Sequence, residues 1–311
     1  MKIVFLDVKT IGEDIDLSGF DRFGEVVKYD FSTSEEVPER VQDADVIILN
    51  KVQVNEQTIG KALQKCAVPP FLSNSQLHFS MQLLFFPDIL YPDCWSPLPS
   101  HIPALNSLLF YLLEKIRYYD DYVKEERYIN DTIFTHFAEH FTEISGKTWG
   151  IIGLGTIGRR VADIAKAFGA QIIYYSASGR SAQEGYEQVD LDTLLAKSDI
   201  ISIHAPLNEH TEGLMDKAAF AKMKKTCIFL NLGRGPIVVE QDLYEALEND
   251  EIAAAGLDVL CQEPMSETNP LRKIKDSKKL LITPHVAWAS VEARTKLMGI
   301  ILGQIKEYFQ I

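Results

Sequence analysis

The chain has 311 residues, of which 46% are hydrophobic, and it carries a formal net charge of −13 at pH 7 with a pI near 5.0. This length and composition allow a sizeable buried core and are sufficient for two domains. The acidic balance argues against nucleic acid or an anionic membrane surface as the main partner, because both reward clustered lysine and arginine.

The cysteines and the start of the chain bear on the compartment. Four scattered cysteines show no CxxC pairing or metal-ligand spacing, which suits a reducing environment. The chain opens on a strand-like segment instead of a signal peptide, and it has no uninterrupted apolar run of about twenty residues. We therefore expect a cytoplasmic protein with no membrane partner.

Short apolar runs alternate with helical patterns from the first residues onward. Strands are predicted at Lys2–Leu6, Glu25–Tyr29 and Asp45–Leu49, which indicates a small α/β domain. A single long helix is predicted from Leu105 to Val123, and we place the crossover between two domains there. Its apolar face is formed by Leu108, Leu109, Leu112, Leu113 and Ile116.

The second part of the chain shows a more regular alternation, which predicts a doubly wound parallel sheet of six strands. A last helix, from about Ser290 to Phe309, is expected to return to the first domain. The six strands are predicted at Thr148–Ile152, Gln171–Tyr175, Asp199–Ile203, Cys227–Asn231, Ala254–Asp258 and Leu280–Thr283.

A glycine-rich turn joins the first of these six strands to a helix. Gly153, Gly155 and Gly158 have the G-x-G-x-x-G spacing, with Thr156 and Ile157 between the last two. The first glycine permits a tight turn, the second lets a pyrophosphate approach bare backbone, and the third lets helix and strand pack closely. Because a helix N-terminus favours an anion, we predict a dinucleotide site. The alternative is an ordinary strand-to-helix turn.

Three polar side chains follow later strands of the predicted sheet. They are Arg234, Glu263 and His285. Ligands of open α/β sheets bind at the carboxyl ends of the strands, so we predict that these side chains belong to one site. Taken singly, the arginine could be a surface ion-pair partner, the glutamate a solvated loop carboxylate, and the histidine a helix cap or core residue.

In this order and near this spacing, the glycine turn, Arg234, Glu263 and His285 resemble the motifs of the D-isomer-specific 2-hydroxyacid dehydrogenase family. The resemblance covers about residues 1–62 and 107–311. It implies an NAD(P)-dependent oxidoreductase that transfers a hydride between nicotinamide and a small D-2-hydroxy acid or 2-oxo acid. Hydroxypyruvate, glyoxylate and D-glycerate are the expected substrates, and a homodimer is the expected assembly.

The resemblance also implies roles for individual residues. Arg234 would bind and orient the 2-oxo acid, because its planar fork of donors matches a carboxylate. His285 would be the acid and base, and Glu263 would hold its imidazole. Asp258 would contact the nicotinamide carboxamide, the alternative being a strand-end turn residue. The loop lining the cofactor would contain His204, Ala205 and Pro206. No metal is implied.

The residues after the second strand bear on the choice of cofactor. An acidic residue about twenty positions beyond the glycine turn would favour NAD, but Ser176 stands there. Ser178 and Arg180 add a second hydroxyl and a guanidinium, which suit the extra phosphate of NADP. We therefore favour NADP(H), with NAD(H) as the alternative and a plain polar loop as the non-functional interpretation.

Residues 65–106 depart from the family pattern. Seven of the thirteen prolines lie between Pro69 and Pro103, and no glycine occurs from 61 to 145. The family's loop that binds the substrate carboxylate through backbone amides has no counterpart here. One hypothesis is that compensating insertions and deletions put this stretch out of reading frame. The other is a divergent, proline-rich substrate lid.

Two further interpretations follow from the sequence. His136 and His140 match an H-x-x-E-H pattern of some zinc peptidases, which would place two imidazoles one helical turn apart. We favour ordinary arm residues, because no third ligand is evident. The missing loop also favours, as an alternative function, a catalytically silent dinucleotide-binding protein such as a redox-sensing corepressor or a decayed pseudoenzyme.

The fold class that results is α/β with two Rossmann-like domains. A six-stranded doubly wound parallel sheet would hold the cofactor, and a smaller flavodoxin-like domain, partly degraded, would hold the substrate. We expect residues 1–104 and 286–311 to form the substrate domain and residues 105–285 the dinucleotide-binding domain.

Overall fold

Runs of β-branched and aliphatic residues build two separate sheets. The computed structural model describes residues 1–52, 82–85, 101–179 and 185–311. These residues belong to two compact units, one of Met1–Leu98 with Ala289–Ile311 and the other of Pro99–Trp288. Most of the segment that departs from the family pattern, and Arg180, lie outside the described residues. Within the described ranges, no helix is both long and apolar enough to cross a membrane.

The smaller unit contains a four-stranded sheet of order β2-β1-β3-β4. The first three strands are parallel and match the predicted strands to within one residue at each end. The fourth pairs antiparallel with β3 and lies inside the departing segment. The strands are β1 (Lys2–Phe5), β2 (Glu25–Lys28), β3 (Val46–Leu49) and β4 (Gln82–Phe85), with a short helix α1 at Val37–Arg40.

The core of this unit forms on β1 and β3, whose apolar runs are continuous because both faces of these strands are covered. All four residues of β3 are buried. One buried cluster comprises Val4, Leu6, Val37, Val41, Ala44, Ile47 and Leu49. The 2-1-3 order of the parallel strands is the order in which a flavodoxin-like sheet begins.

The larger unit contains a seven-stranded, all-parallel sheet of order β11-β10-β9-β8-β5-β6-β7. The six predicted strands are present, and a two-residue strand extends one edge. The strands are β5 (Thr148–Ile152), β6 (Gln171–Tyr175), β7 (Glu187–Gln188), β8 (Ile200–Ile203), β9 (Ile228–Asn231), β10 (Ala254–Leu257) and β11 (Leu280–Ile282).

Helices cover both faces of this sheet, in two buried clusters. The helices are α2 (His101–Leu113), α3 (Ile116–Lys124), α4 (Thr156–Ala167), α5 (Leu191–Lys197), α6 (Lys217–Ala221) and α7 (Glu240–Glu248). The chain leaves β5 for β6 on one side and later returns to place β8 on its other side. This reversal is the switch point at which such sheets bind ligands, next to the carboxyl ends of β5 and β8.

The prediction of one helix from Leu105 to Val123 is wrong. Helix α2 begins at His101 and ends at Leu113, and α3 begins at Ile116. Lys115 between them has a left-handed backbone with φ of 52°, which breaks the helical path. The apolar periodicity of a sequence does not reveal a single left-handed residue. The predicted helix therefore continued through the position of Lys115.

The last helix, α8 (Val291–Phe309), belongs to the smaller unit. It begins one residue after Ser290, whose hydroxyl accepts a hydrogen bond from the Ala293 N–H at 3.2 Å and so caps the helix. Its start and end agree with the prediction.

Candidate active site

The glycine turn between β5 and α4 has the geometry that a dinucleotide requires. Gly153 has φ of 94°, and a Cβ there would lie 2.7 Å from the amide nitrogen of Ala205. A Cβ on Gly158 would collide with the carbonyl oxygen of Gly153. A Cβ on Gly155, in contrast, would meet no protein atom within 4 Å. The outer glycines are thus needed for packing, whereas the middle one borders open space.

That open space lies in front of the first turn of α4. The N-cap residue is Gly155, so no side chain caps the helix, and Thr156 beside it is exposed. The first N–H groups of a helix have no partner within the helix and carry its positive dipole end. The residues therefore fit a pyrophosphate group at this turn.

The end of β6 carries hydroxyl groups. The Oγ atoms of Ser176 and Ser178 lie 3.3 Å apart, with Ser176 half-buried and Ser178 exposed. No carboxylate occurs between Ser176 and Gly179. Arg180, the third residue predicted for this part of the site, is outside the described part of the chain.

The loop after β8 packs directly against the glycine turn. Ala205 is the residue that the Cβ of a substituted Gly153 would strike, so the two backbones are in close contact. The Nε2 atom of His204 lies 3.0 Å from the hydroxyl of Ser202, which also accepts a 2.9 Å hydrogen bond from the buried indole of Trp149. His204, Ala205 and Pro206 therefore lie at the switch point beside the glycine turn.

Arg234 is positioned by the loop that follows β9. The side chain of Asn231, fully buried, donates to the Arg234 carbonyl at 3.0 Å and accepts from the Gly233 N–H at 3.0 Å. The guanidinium donates to the Gly233 carbonyl at 2.9 Å. Burial lowers its pKa from the ordinary value, an effect that the negative charge of Glu263 opposes. A partly desolvated guanidinium of this kind favours an anionic ligand.

The loops after β9 and β10 are in backbone contact. A Cβ on Gly235 would collide with the carbonyl of Leu260 and the amide of Cys261. The amide of Cys261 is in turn fixed by Glu240, 2.8 Å away. This contact brings the backbone next to Arg234 against the loop that leads to Glu263.

His285 and Glu263 form an acid–base pair. The Nδ1 atom of His285 lies 2.7 Å from Oε2 of Glu263, while Oε1 accepts a 3.0 Å hydrogen bond from the Leu260 N–H. About a quarter of each side chain is exposed, at 23% for the histidine and 27% for the glutamate. The carboxylate therefore holds the imidazole through Nδ1, and the bond orients the ring.

Asp258, at the end of β10, is buried with 2% of its surface exposed. Its Oδ1 atom accepts from the Thr283 hydroxyl at 2.6 Å and the Val286 N–H at 2.9 Å, and its Oδ2 atom accepts from the Ala287 N–H at 2.9 Å. The carboxylate thus organises the loop that carries His285. Asn231 and Thr283 were missed by sequence reasoning. The signal available was their position at strand ends, three residues before Arg234 and two residues before His285.

The H-x-x-E-H segment does not have the geometry of a zinc site. Residues 136–140 are not helical, so the two imidazoles are not one helical turn apart, as the zinc alternative required. The His136 ring stacks on Tyr122 with centroids 3.8 Å apart, and its Nε2 lies 3.0 Å from the Tyr118 hydroxyl. Among the described residues, no group of three or more His, Cys, Asp or Glu side chains could hold a metal ion.

The chain is similar to known proteins over its full length. The family model described as "D-isomer specific 2-hydroxyacid dehydrogenase, NAD binding domain" matches residues 106–287. A hydroxypyruvate reductase of Blautia hydrogenotrophica is 33% identical over 100% of this chain and 97% of its own length. A glycerate dehydrogenase of Methylorubrum extorquens is 30% identical over 99% and 96%.

A solved structure, an acyclic imino acid reductase in complex with NADPH and D-Arg, has a TM-score of 0.81 and 27% identity, covering 100% of this chain and 97% of that one. The chain is an oxidoreductase of the class that acts on CH–OH donors with a nicotinamide cofactor. It belongs to the D-isomer-specific 2-hydroxyacid dehydrogenase family, as the sequence motifs predicted.

Proposed function

We propose that the protein reduces small 2-oxo acids to D-2-hydroxy acids, with hydroxypyruvate, glyoxylate and D-glycerate as the substrate group. The observation that carries this proposal is the 2.7 Å contact between His285 Nδ1 and Glu263, on the loops at the same sheet edge as Arg234. The names of the similar hydroxypyruvate reductase and glycerate dehydrogenase support the choice of substrate.

Arg234 binds and orients the substrate in this proposal. Its guanidinium presents a fixed fork of donors to a carboxylate or to a polarised carbonyl oxygen. The Asn231 hydrogen bonds keep the loop in shape, so the arginine does not have to be ordered when substrate arrives.

His285 moves the proton. Nδ1 is engaged by Glu263, which leaves Nε2 to give a proton to the carbonyl oxygen during reduction and to take it back during oxidation. The carboxylate stabilises the charged imidazolium from which the proton is given.

The cofactor is held at the glycine turn. Gly153, Gly155 and Gly158, with Thr156 and Ile157, would hold the pyrophosphate, and the β8 loop and Asp258 would contact the nicotinamide. The bound nicotinamide supplies the hydride. We infer NADP(H) as the preferred form, because β6 ends in hydroxyls and the sequence from Ser176 to Gly179 has no carboxylate to repel the extra phosphate. Titrating the reduction rate with each cofactor tests this, and a clear preference for NADH would contradict it.

The proposed assembly is a homodimer in the cytoplasm. The segment after α3 exposes large apolar side chains on the larger unit: Ile129 at 76%, Phe134 at 90%, Phe137 at 74% and Phe141 at 53%. An exposed apolar patch of this kind is typical of a protein interface. We propose the larger unit as the dinucleotide-binding domain and the smaller unit as the substrate domain.

The second candidate is a catalytically silent dinucleotide-binding protein. It is favoured by the absence, in the sequence of residues 65–106, of the family's glycine-containing carboxylate loop. The assay that separates the two follows nicotinamide absorbance with hydroxypyruvate and either NADPH or NADH, with cofactor binding measured in parallel. Turnover supports the enzyme, whereas binding without turnover supports the silent protein. Translating the coding DNA across this segment in the other two frames distinguishes the frameshift hypothesis from the hypothesis of a divergent substrate lid.

A further inference from the structure

The backbone of the catalytic loop is under strain at His285. Its φ is 53°, in the left-handed region that residues other than glycine seldom occupy. Such a conformation persists only where the surroundings determine it. The contacts that hold the loop should therefore also determine where the imidazole points.

Asp258 supplies most of those contacts. Its backbone carbonyl accepts the His285 N–H at 2.9 Å, and its carboxylate receives the amides of Val286 and Ala287, each at 2.9 Å. The amide of the strained residue and the two amides that follow it are thereby all fixed to one buried residue. If the carboxylate rotates, the backbone at His285 changes with it.

Among the described residues that donate to the Asp258 carboxylate, Thr283 is the one that donates from its side chain. Its hydroxyl donates to Oδ1 at 2.6 Å, and its own N–H is fixed to the Leu257 carbonyl at 2.9 Å. The threonine directly follows β11, so its hydroxyl fixes the rotation of the carboxylate together with the amides of Val286 and Ala287. The charge-assisted bond is of the stronger kind.

We propose that Thr283 is a positioning residue for His285, acting through the Asp258 carboxylate, which aims the imidazole at Glu263 for proton transfer. The proposal rests on the acid–base role of His285 given above. It deepens that role by naming the hydroxyl on which the ring's alignment depends.

The test compares Thr283→Val with Thr283→Ser. Valine has nearly the shape of threonine but lacks the donor, so kcat should fall about tenfold while the cofactor Kd stays within about twofold. Serine restores the donor and should restore at least half of kcat. If proton or hydride transfer is what slows, replacing the transferred hydride by deuterium should give a larger isotope effect in the valine variant. A general loss of folded protein would leave that effect unchanged.

The matched control is Thr193→Val. Thr193 donates its hydroxyl to Asp190 at 2.7 Å, the same type of bond, at the exposed start of α5. It should change neither kcat nor the isotope effect. Comparable losses in both valine variants would mean that the loss of any such bond lowers activity, and this would overturn the proposal.

A second readout needs neither cofactor nor substrate. With histidine labelled by ¹⁵N, the downfield proton on Nδ1 of His285 reports its bond to Glu263, and His285→Gln identifies the signal. Thr283→Val should shift this proton upfield or broaden it, and Thr283→Ser should not. An unchanged signal together with unchanged kcat would overturn the proposal. A wild-type protein that binds cofactor without turnover would instead overturn the proposed function, while the spectrum still tests the alignment.

Discussion

At the scale of single residues, the site depends on side chains that act in pairs. His285 is held by Glu263 at 2.7 Å, and the Arg234 loop by the buried Asn231. Each functional group is thus oriented by a partner that has no role in binding of its own. A substitution at the functional group should affect chemistry, whereas binding of the dinucleotide should depend on the glycine turn.

We expect His285→Ala to lower kcat by about 10²–10⁴-fold, the usual contribution of a positioned acid–base group. The cofactor Kd should change by less than about twofold, because the glycine turn and helix α4 are untouched. Steady-state kinetics and cofactor titration by fluorescence measure the two. His210→Ala is the control, since that side chain is 63% exposed and pairs with the neighbouring Glu209. Unchanged turnover in His285→Ala would remove this histidine from the mechanism.

How much could be predicted at this scale depended on whether a residue belongs to a motif. The glycines, Arg234, Glu263 and His285 have recognisable spacing because the chemistry demands those residue types. Asn231 and Thr283 act through one or two hydrogen bonds each, and any polar residue at a strand end has the same sequence signature. Their roles become visible only when the loops are placed in space.

At the scale of elements, strands were predicted well and helix boundaries less well. The strands are continuous apolar runs because parallel strands are covered on both faces. The break at Lys115 and the two-residue β7 have no comparable pattern, since one depends on a single backbone angle and the other on pairing with β6. The H-x-x-E-H spacing does not produce a zinc site for a related reason. This spacing places both histidines on one face only if the segment is helical.

Helix α4 provides a test of the dinucleotide site that does not disturb the fold. Gly155 has φ of −80°, which alanine adopts freely, and its added Cβ would meet no protein atom within 4 Å. Gly155→Ala should therefore lower the melting temperature by no more than a few degrees, because alanine is a poorer N-cap than glycine. It should weaken NAD(P)H binding about tenfold or more, because the methyl group occupies the approach of the pyrophosphate. Gly303→Ala on α8, also with no atom within 4 Å, is the control for affinity. Unchanged affinity in Gly155→Ala would place the dinucleotide elsewhere.

The start of β8 provides a test of pH-dependent stability. Burial alone would raise the pKa of Asp199, but hydrogen bonds from the Thr148 N–H at 2.9 Å and the Lys224 ammonium at 2.9 Å hold it below its ordinary value. A carboxyl with a lowered pKa in the folded state stabilises the fold above its unfolded pKa. That contribution is lost as the pH falls through the folded pKa.

Asp199→Asn should accordingly lower the free energy of unfolding by about 1–2 kcal/mol at pH 7. The difference from wild type should shrink below about pH 4, where the unfolded carboxyl begins to protonate. Urea titrations at pH 7 and below about pH 4 measure this difference in the free energy of unfolding. The exposed pair of Asp192 and Lys222 is the control, and Asp192→Asn should cost less than about 0.5 kcal/mol. A difference that is constant with pH would contradict the electrostatic explanation.

At the scale of the whole molecule, the larger unit exposes large apolar side chains to water, which is energetically unfavourable. Phe134 and Phe137, exposed at 90% and 74%, lie on an arm that is tied to α3 by tyrosine hydroxyls, including the 3.0 Å bond from Tyr119 to the Glu139 carbonyl. An arm fixed in this way keeps its aromatic side chains available for a second copy of the chain. Dimerisation through this arm would explain why the two phenylalanine side chains are not buried within their own chain.

If the proposed homodimer forms through this arm, replacing both side chains, in Phe134→Ser with Phe137→Ser, should shift the protein from dimer to monomer. Each buried phenylalanine contributes about 1.5–3 kcal/mol, so the double variant should weaken association by about a hundredfold or more. Size-exclusion chromatography with light scattering, across a dilution series, measures the change. Phe31→Ser is the matched control, because Phe31 is 63% exposed but belongs to the smaller unit. A dimer that persists in the double variant, or a wild-type monomer at all concentrations, would show that this arm is not the interface.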